Sequence, residues 1–288
     1  MPLPAVFHRT PDPDHSGDVS GPPYDPGMAA PRRDTRGIVD AAELLARVRF
    51  RRREPAPPLR PYLEHYWLID WDLDRPYNSH VVPHPSVNLV FQQFEDQDPF
   101  AEISGIGLGL FTQTLTGRGR VCGVQFRPGG FRPFAPGHPV SEWTGRRVRL
   151  PGTDPAPVLS PTDENARVAA LDAHLLALGP RPDPQADQAM VLTDRIRTDR
   201  TIRRVADLAR TEAVSVRHLQ RLFAAYVGVG PKWVILRYRI HEALERAETS
   251  TALDWSALAA DLGYADQAHL VRDFKATVGV PPTAYASR

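Results

Sequence analysis

The chain has 288 residues, 42% of them hydrophobic and 24% charged, with a formal net charge of +1. This length and composition suit two folded domains with extra segments, and the lack of a long apolar run or a leader pattern excludes a membrane span and a signal peptide, so a cytoplasmic, nucleoid-associated location is expected. The single cysteine, Cys122, excludes an intrachain disulfide and a cysteine-rich zinc site.

Residues 1–37 are rich in Pro, Asp and Gly and poor in large apolar groups, which predicts a disordered tail. Residues 38–157 read as a β-rich domain. Ile38 to Val48 has a helical rhythm, and Val48 to Arg53 alternates like a strand. From Leu63 to Leu150 the period is two, with strands expected at Tyr66–Trp71, His80–Val82, Asn88–Gln92, Glu102–Ile106, Phe111–Thr116 and Arg120–Arg127. Gly117-Arg118-Gly119 reads as a hairpin turn between the last two. The expected product is a small antiparallel sheet or barrel with Trp67, Leu89, Phe91, Val124 and Phe126 in its core.

Motifs for catalysis are weak in this half. The glycines at 105, 107 and 109, and at 117 and 119, do not precede a helix as a dinucleotide site requires, and no Gly-x-Ser-x-Gly occurs. His80 and His84 with His138 or Cys122 have metal-ligating chemistry, yet scattered histidines of this kind are usually hydrogen-bonded or exposed. Arg127-Pro128-Gly129-Gly130 reads as a tight turn into a short helix, Phe131–Ala135, in preference to an anion nest. No catalysis, metal or cofactor is expected.

Residues 158–187 read as a helical linker between Pro-rich breaks. Its helix, Thr162 to Leu178, carries Val168, Leu171, Leu175 and Leu178 on one side, a stripe that needs the β-rich domain or a second copy as partner. Residues 188–288 read as all-helical. Met190 to Ile196 opens the first helix, and Thr201–Ala209 is a short helix with Ile202, Val205, Ala206 and Leu208 inward. Ser215 then caps a helix whose Val216, Leu219, Leu222, Phe223 and Tyr226 face a core. Its other face presents Arg217, Gln220 and Arg221 side by side. Taken alone, this also describes a solvated amphipathic helix, but helix, short turn and helix in succession is the arrangement that lays a second helix in the major groove. Pro231 to Ala247 is a longer helix. The pattern then recurs: Asp254–Leu262 is a short helix ended by Gly263, and Asp266 caps Gln267–Val278, which buries Leu270, Val271, Phe274 and Val278.

Ser215-x-x-His218-Leu219-Gln220-Arg221-Leu222-Phe223, Gly228-x-Gly230-Pro231, Arg239 with Ala243, Leu258-Ala259 to Leu262-Gly263-Tyr264, Phe274, and Val278-Gly279-x-Pro281-Pro282-x-x-Tyr285 closely resemble the AraC/XylS family of bacterial transcription regulators. The resemblance implies two helix-turn-helix units separated by a long helix and entering successive major grooves. It implies base reading by Arg217, Gln220 and Arg221 in the first unit and by Gln267, Ala268, His269 and Arg272 in the second. Ser215, Lys232 and Lys275 would contact phosphates. Two positions depart from the family: Arg217 stands where many members carry a bulky or aromatic side chain, and Ala268 where many carry a longer polar one. Ala268 offers only apolar contact, for instance to a thymine methyl. Pro83-x-Pro85-Ser86-Val87-Asn88-Leu89-Val90-Phe91 and Gly123-Val124-Gln125-Phe126-Arg127-Pro128-Gly129-Gly130-Phe131 also resemble a sensor-type domain found ahead of such modules.

From Met190 onward there are 15 basic and 11 acidic residues, so positive charge concentrates where DNA would lie. The expected whole is an α+β chain of two domains: a β-rich domain that senses a small molecule or mediates association, and a double helix-turn-helix that binds promoter or operator DNA. RNA polymerase and a second copy of the chain are further expected partners. Two rivals remain: a nonspecific DNA-associated protein, and a metal-dependent barrel enzyme fused to a DNA-binding module.

Overall fold

The computed structural model describes residues 37–249 and 253–286; the expectation for the tail falls outside these except at Gly37. The β-rich half begins with β1 (Ile38–Val39), α1 (Ala41–Arg47) and β2 (Val48–Arg53), so the helical rhythm read from Ile38 starts only after a two-residue strand. Then come β3 (Leu63–Val81), β4 (Asn88–Phe94), β5 (Phe100–Ser104), β6 (Phe111–Phe126) and β7 (Arg147–Arg149). Among the described residues these form one antiparallel sheet in the order β1-β3-β6-β4-β5-β7, with β2 also paired to β3.

Two pairs of expected strands are single long ones. Tyr66–Trp71 and His80–Val81 belong to β3, which ends one residue before the expected Val82 and whose register shifts between Leu73 and Tyr77. Pro76, lacking an N–H for the ladder, sits in that irregularity. The hairpin read at Gly117–Gly119 does not exist, because β6 runs straight through it, pairing Trp71 with Gly119 and Trp67 with Gly123. These glycines are slots for indoles: a Cβ on Gly119 would stand 1.9 Å from the Trp71 ring, and one on Gly123 2.0 Å from that of Trp67. Trp67 is accordingly half-buried on the sheet face opposite the main core, where Trp71, Tyr77, Leu115 and Val121 also pack. Leu89, Phe91, Val124 and Phe126 do lie in the main core.

Asp70, in β3, ties the sheet to the segment that follows it. Its carboxylate accepts from Arg51, from Arg120 Nε at 2.6 Å and from Arg167 Nη1 at 3.1 Å, and Arg167 is only 2% exposed. Arg120 also donates to the Leu159 and Pro161 carbonyls at the end of α2 (Ala156–Leu159). Next, α3 (Glu164–Leu178), capped by Asp163, docks Leu171 and Leu175 on the sheet, so the β-rich domain covers its stripe. Asp172 accepts from the Tyr66 hydroxyl at 2.7 Å and from the Ala56 amide at 2.8 Å.

Burial first, then the charges of Arg52 and His84, lower the His65 pKa to about 3, and burial lowers that of His174. Both histidines are neutral in the folded chain, whereas the unfolded chain takes up their protons near pH ~6.5. Stability is therefore expected to be full above about pH 6.5 and to fall as pH drops toward 3. Urea midpoints measured across that window check this, and His65→Gln should flatten the dependence.

The remaining helices are α4 (Pro184–Thr198), α5 (Val205–Thr211), α6 (Val216–Tyr226), α7 (Pro231–Thr249), α8 (Trp255–Asp261), α9 (Gln267–Val278) and α10 (Pro282–Ala286). The Arg127–Gly130 segment is a tight turn, closed by Gly130 N–H to Arg127 O at 2.8 Å, and the helix read after it is a single 3-10 turn over Arg132–Phe134. The turn seats on α4: Arg127 pairs with Asp194 at 2.5 Å, and a Cβ on Gly129 would meet Met190 and Ala189.

One apolar cluster runs from Leu63, Phe91 and Phe126 in the sheet through α3 and α4 to Leu219, Phe223 and Ile235. A separate cluster holds Leu258, Leu270, Phe274, Val278 and Tyr285, and reaches the β-rich half through Val39, Val82 and the partly buried Leu110. Besides Arg127 with Asp194, several polar contacts join the halves: Thr193 Oγ1 donates to Pro128 O at 3.2 Å, Arg132 donates to Ala225 O at 3.3 Å, and His241 Nε2 lies 3.3 Å from Pro83 O. Thr144 Oγ1 donates to Gly228 O at 2.7 Å, Arg237 donates to Leu108 O at 3.2 Å, and His84 stacks on His241 at 3.9 Å. Burial lowers the Arg237 pKa to about 10. No helix among the described residues is long and apolar enough to cross a membrane.

Candidate nucleic-acid interface

The first unit starts later than Thr201. Asp199 accepts from the Thr201 amide at 2.9 Å, while Asp207 accepts from the amides of Arg203 at 3.2 Å and Arg204 at 2.8 Å. A carboxylate three positions into a helix that takes the N-cap amide fixes the start there, so α5 begins at Val205 and runs to Thr211. The turn passes through Ala213, whose φ of 52° lies in the left-handed region. Ser215 Oγ then accepts from the His218 amide at 3.1 Å and starts α6.

Along α6, Leu219, Leu222, Phe223 and Tyr226 are buried, and Arg217, Gln220 and Arg221 stand exposed together with no ion pair among the described residues. The helix is anchored from behind by His218 to Gln188 at 3.3 Å and by the Tyr226 hydroxyl donating to Gln185 at 2.9 Å.

The second unit is built in the same way. Asp254 caps α8 through the amides of Ser256 and Ala257, Gly263 ends it at a φ of 73°, and Asp266 accepts from the His269 amide at 2.7 Å to start α9. Leu270, Phe274 and Val278 point inward, whereas Val271, read as buried, is half-buried. Gln267, Ala268, Arg272 and Lys275 are exposed. His269 sits back from that row, edge-on to Tyr264 at 5.2 Å and 3.8 Å from Asp273. The 19 residues of α7, at about 1.5 Å each, span roughly 28 Å between the units.

The same surface holds two cations to which the sequence analysis gives no role, Arg203 and Arg204. Arg203, Arg204 and Arg239, with Lys232, line a cleft between the two units. The sequence pattern places Arg203 and Arg204 inside a helix from Thr201, whereas they precede α5, with Arg204 at its N-cap. The histidines weighed as metal ligands have separate neighbours: Thr112 for His80, His241 for His84 and Glu142 for His138. No cluster of three metal-ligating side chains occurs among the described residues.

Residues 51–149 match a family profile described as a domain of unknown function (DUF6597), and residues 208–288 match one described as a helix-turn-helix domain. A Streptomyces lividans protein named for its likeness to AraC-type transcription regulators is 38% identical over 81 residues, 28% of this chain and 26% of that protein. The chain thus spans about a quarter of the length of the curated relative it matches. Solved structures of ToxT from Vibrio cholerae are similar at low identity. One is 11% identical over 84% of this chain and 98% of ToxT with a TM-score of 0.42, and one bound to an unsaturated fatty acid is 13% identical over 88% and 96% with a TM-score of 0.37. With the matched segment in register with the capped helices α6, α8 and α9, residues 208–288 are a helix-turn-helix domain similar to that of an AraC-like regulator.

Proposed function

We propose that the protein is a sequence-specific regulator of transcription that acts by binding double-stranded promoter or operator DNA. The observation that carries this reading is the pair of capped helices, α6 and α9, each showing a row of exposed long polar side chains on the two sides of one connecting helix. Arg217, Gln220, Arg221, Gln267 and Arg272 suit hydrogen bonding to base edges, and Ala268 suits a thymine methyl. His269 joins them by turning out from Tyr264. Ser215, Lys232 and Lys275, all exposed, suit phosphates. The proposed domain limits are 38–157 for the β-rich domain, 158–187 for the linker and 188–288 for the DNA-binding part.

In this reading the protein catalyses nothing, works in the cytoplasm at the nucleoid, and answers an effector bound by the β-rich domain. Such an effector acts by preferring one arrangement of the two halves over another, and the polar seam that includes Thr144, Arg237 and His84 is where the arrangements would differ. RNA polymerase and a second copy of the chain are the proposed protein partners.

Selection of bound sites from random duplexes with the full-length protein tests the reading, and enrichment of two short elements about one helical turn apart is expected. Arg221→Ala should then cost about 1–3 kcal/mol on the selected site and less on random duplex. Equal losses on both would make Arg221 a phosphate contact, and no enrichment by the wild type would favour nonspecific association.

A further inference from the structure

The cleft between the two units has a volume of about 680 Å³ and is walled by the entry to α5, by α7 and by the α8–α9 turn. Its lining carries four basic side chains, Arg203, Arg204, Lys232 and Arg239, against one acid, Asp273. Arg203, Arg204 and Lys232 are exposed, and none of them has an ion pair among the described residues. The nearby Asp207 carboxylate is occupied by the Arg203 and Arg204 amides and by the Arg210 side chain at 2.9 Å. Asp273, the acid in the cleft, faces His269 and Tyr264.

At the floor, half-buried Arg239 donates to the Arg203 carbonyl at 2.5 Å and lies over the Tyr264 ring; it has no ion pair among the described residues, and Asp273 and Asp207 act on it only at longer range. Burial lowers its pKa, so its charge is held at a cost in solvation. A group of guanidinium and ammonium ions left short of anions in an open groove suits a run of phosphates better than a single enclosed anion.

The groove also straddles both units. The stem of Arg203, at the entry to the first, packs over Gly263 in the turn of the second, where a Cβ would lie 2.7 Å from Arg203 Cδ. Whatever Arg203 and Arg239 hold is therefore shared between the units.

Resting on the proposed DNA-binding function, we infer that this cleft seats backbone phosphates of the DNA stretch that runs between the two major-groove segments. By doing so it fixes the spacing at which α6 and α9 read together. Arg203, Arg204, Lys232 and Arg239 are positioning residues in this role, not base readers.

The test compares full-length wild type with the Arg203→Ala/Arg204→Ala double variant. Binding is measured across a salt series on the selected site, on random duplex, and on the selected site with its two elements moved one or two base pairs apart. Thermal melts establish that the variant is folded, and Lys232→Ala repeats the measurement should the double variant melt early. The expected result is a similar fractional loss on selected and random duplex, and a salt slope lower by about 2. Between ~50 and ~200 mM salt that is about tenfold less salt-induced loss of affinity than for wild type. The penalty for altered spacing should also shrink.

An unchanged slope, or a loss confined to the selected site, would overturn the assignment. So would competition at the cleft by millimolar inorganic phosphate with an unchanged DNA slope, which would mark a small-anion site. If wild type itself enriches no site, the DNA-binding reading fails, and that outcome is separate from all of these.

Discussion

Asp70→Asn is expected to destabilise the protein by about 3–5 kcal/mol, the range for removing one member of a buried charge cluster. Burial alone would raise the Asp70 pKa, but hydrogen bonds from Arg51 and Arg120 and the charge of Arg167 outweigh it and hold the carboxyl below its ordinary value. Without the carboxylate, Arg167, 2% exposed, keeps its charge with no anion within reach. The loss should also loosen α2 against the sheet, because the Arg120 guanidinium that donates to Leu159 and Pro161 is held on its other side by Asp70.

 The Leu159 and Pro161 carbonyls would then lose the donor that holds the end of α2 against the sheet. Equilibrium urea unfolding measures the loss, with Asp72→Asn as control. Asp72 and its partner Arg118 are both largely exposed, so that change should stay within about 0.5 kcal/mol. A loss below about 1 kcal/mol for Asp70→Asn would overturn the account. The pH dependence has a definite sign. Because the folded-state pKa is depressed, the contribution is present above the ordinary carboxylate range and is lost as pH falls through the depressed value. The acid loss at Asp70 therefore follows, at lower pH, the one that begins with His65 and His174.

Phe274→Ala and Phe223→Ala are each expected to cost about 3–5 kcal/mol, since both rings are fully buried. Their consequences differ in extent. Phe274 lies in the small cluster with Leu258, Leu270, Val278 and Tyr285, so its loss should release α8 and α9 while the sheet stays protected in hydrogen exchange. Phe223 lies in the cluster that runs from the sheet to α7, so its loss should lower protection in the sheet and in α4 as well. Uniform loss of protection in both variants would mean that the two clusters unfold as one.

The C-terminal helices were legible because their determinants are local. Asp266 and Ser215 sit at the caps, the apolar residues recur at helical spacing, and α9 runs from Gln267 to Val278 as read. The strands were less legible for a reason that lies far away in the chain. Gly117 to Gly119 has the composition of a turn, and what makes it strand is the Trp71 indole packed over Gly119 from β3. Likewise, the alternation around Trp67 does not say which face of the sheet is the larger core. The exposed rows on α6 and α9 followed from the helical period, but the cleft did not. Arg203 and Arg239 meet there because Asp207 fixes the start of α5 at Val205, leaving Arg203 outside the helix with its carbonyl against α7.

The joint at Gly228 limits how this DNA-binding half can be recombined with other N-terminal domains. A Cβ there would stand 2.7 Å from Ile106, 2.9 Å from Thr144 and 3.0 Å from Val140, and the Gly228 carbonyl takes the Thr144 hydroxyl. Beside it, Arg132 covers the Tyr226 ring at 4.3 Å. A transplanted domain would have to bring side chains of the same shape to these points, or leave the end of α6 wet. The first unit is thus not a portable cassette, whereas the second, with its own small core, is much closer to one.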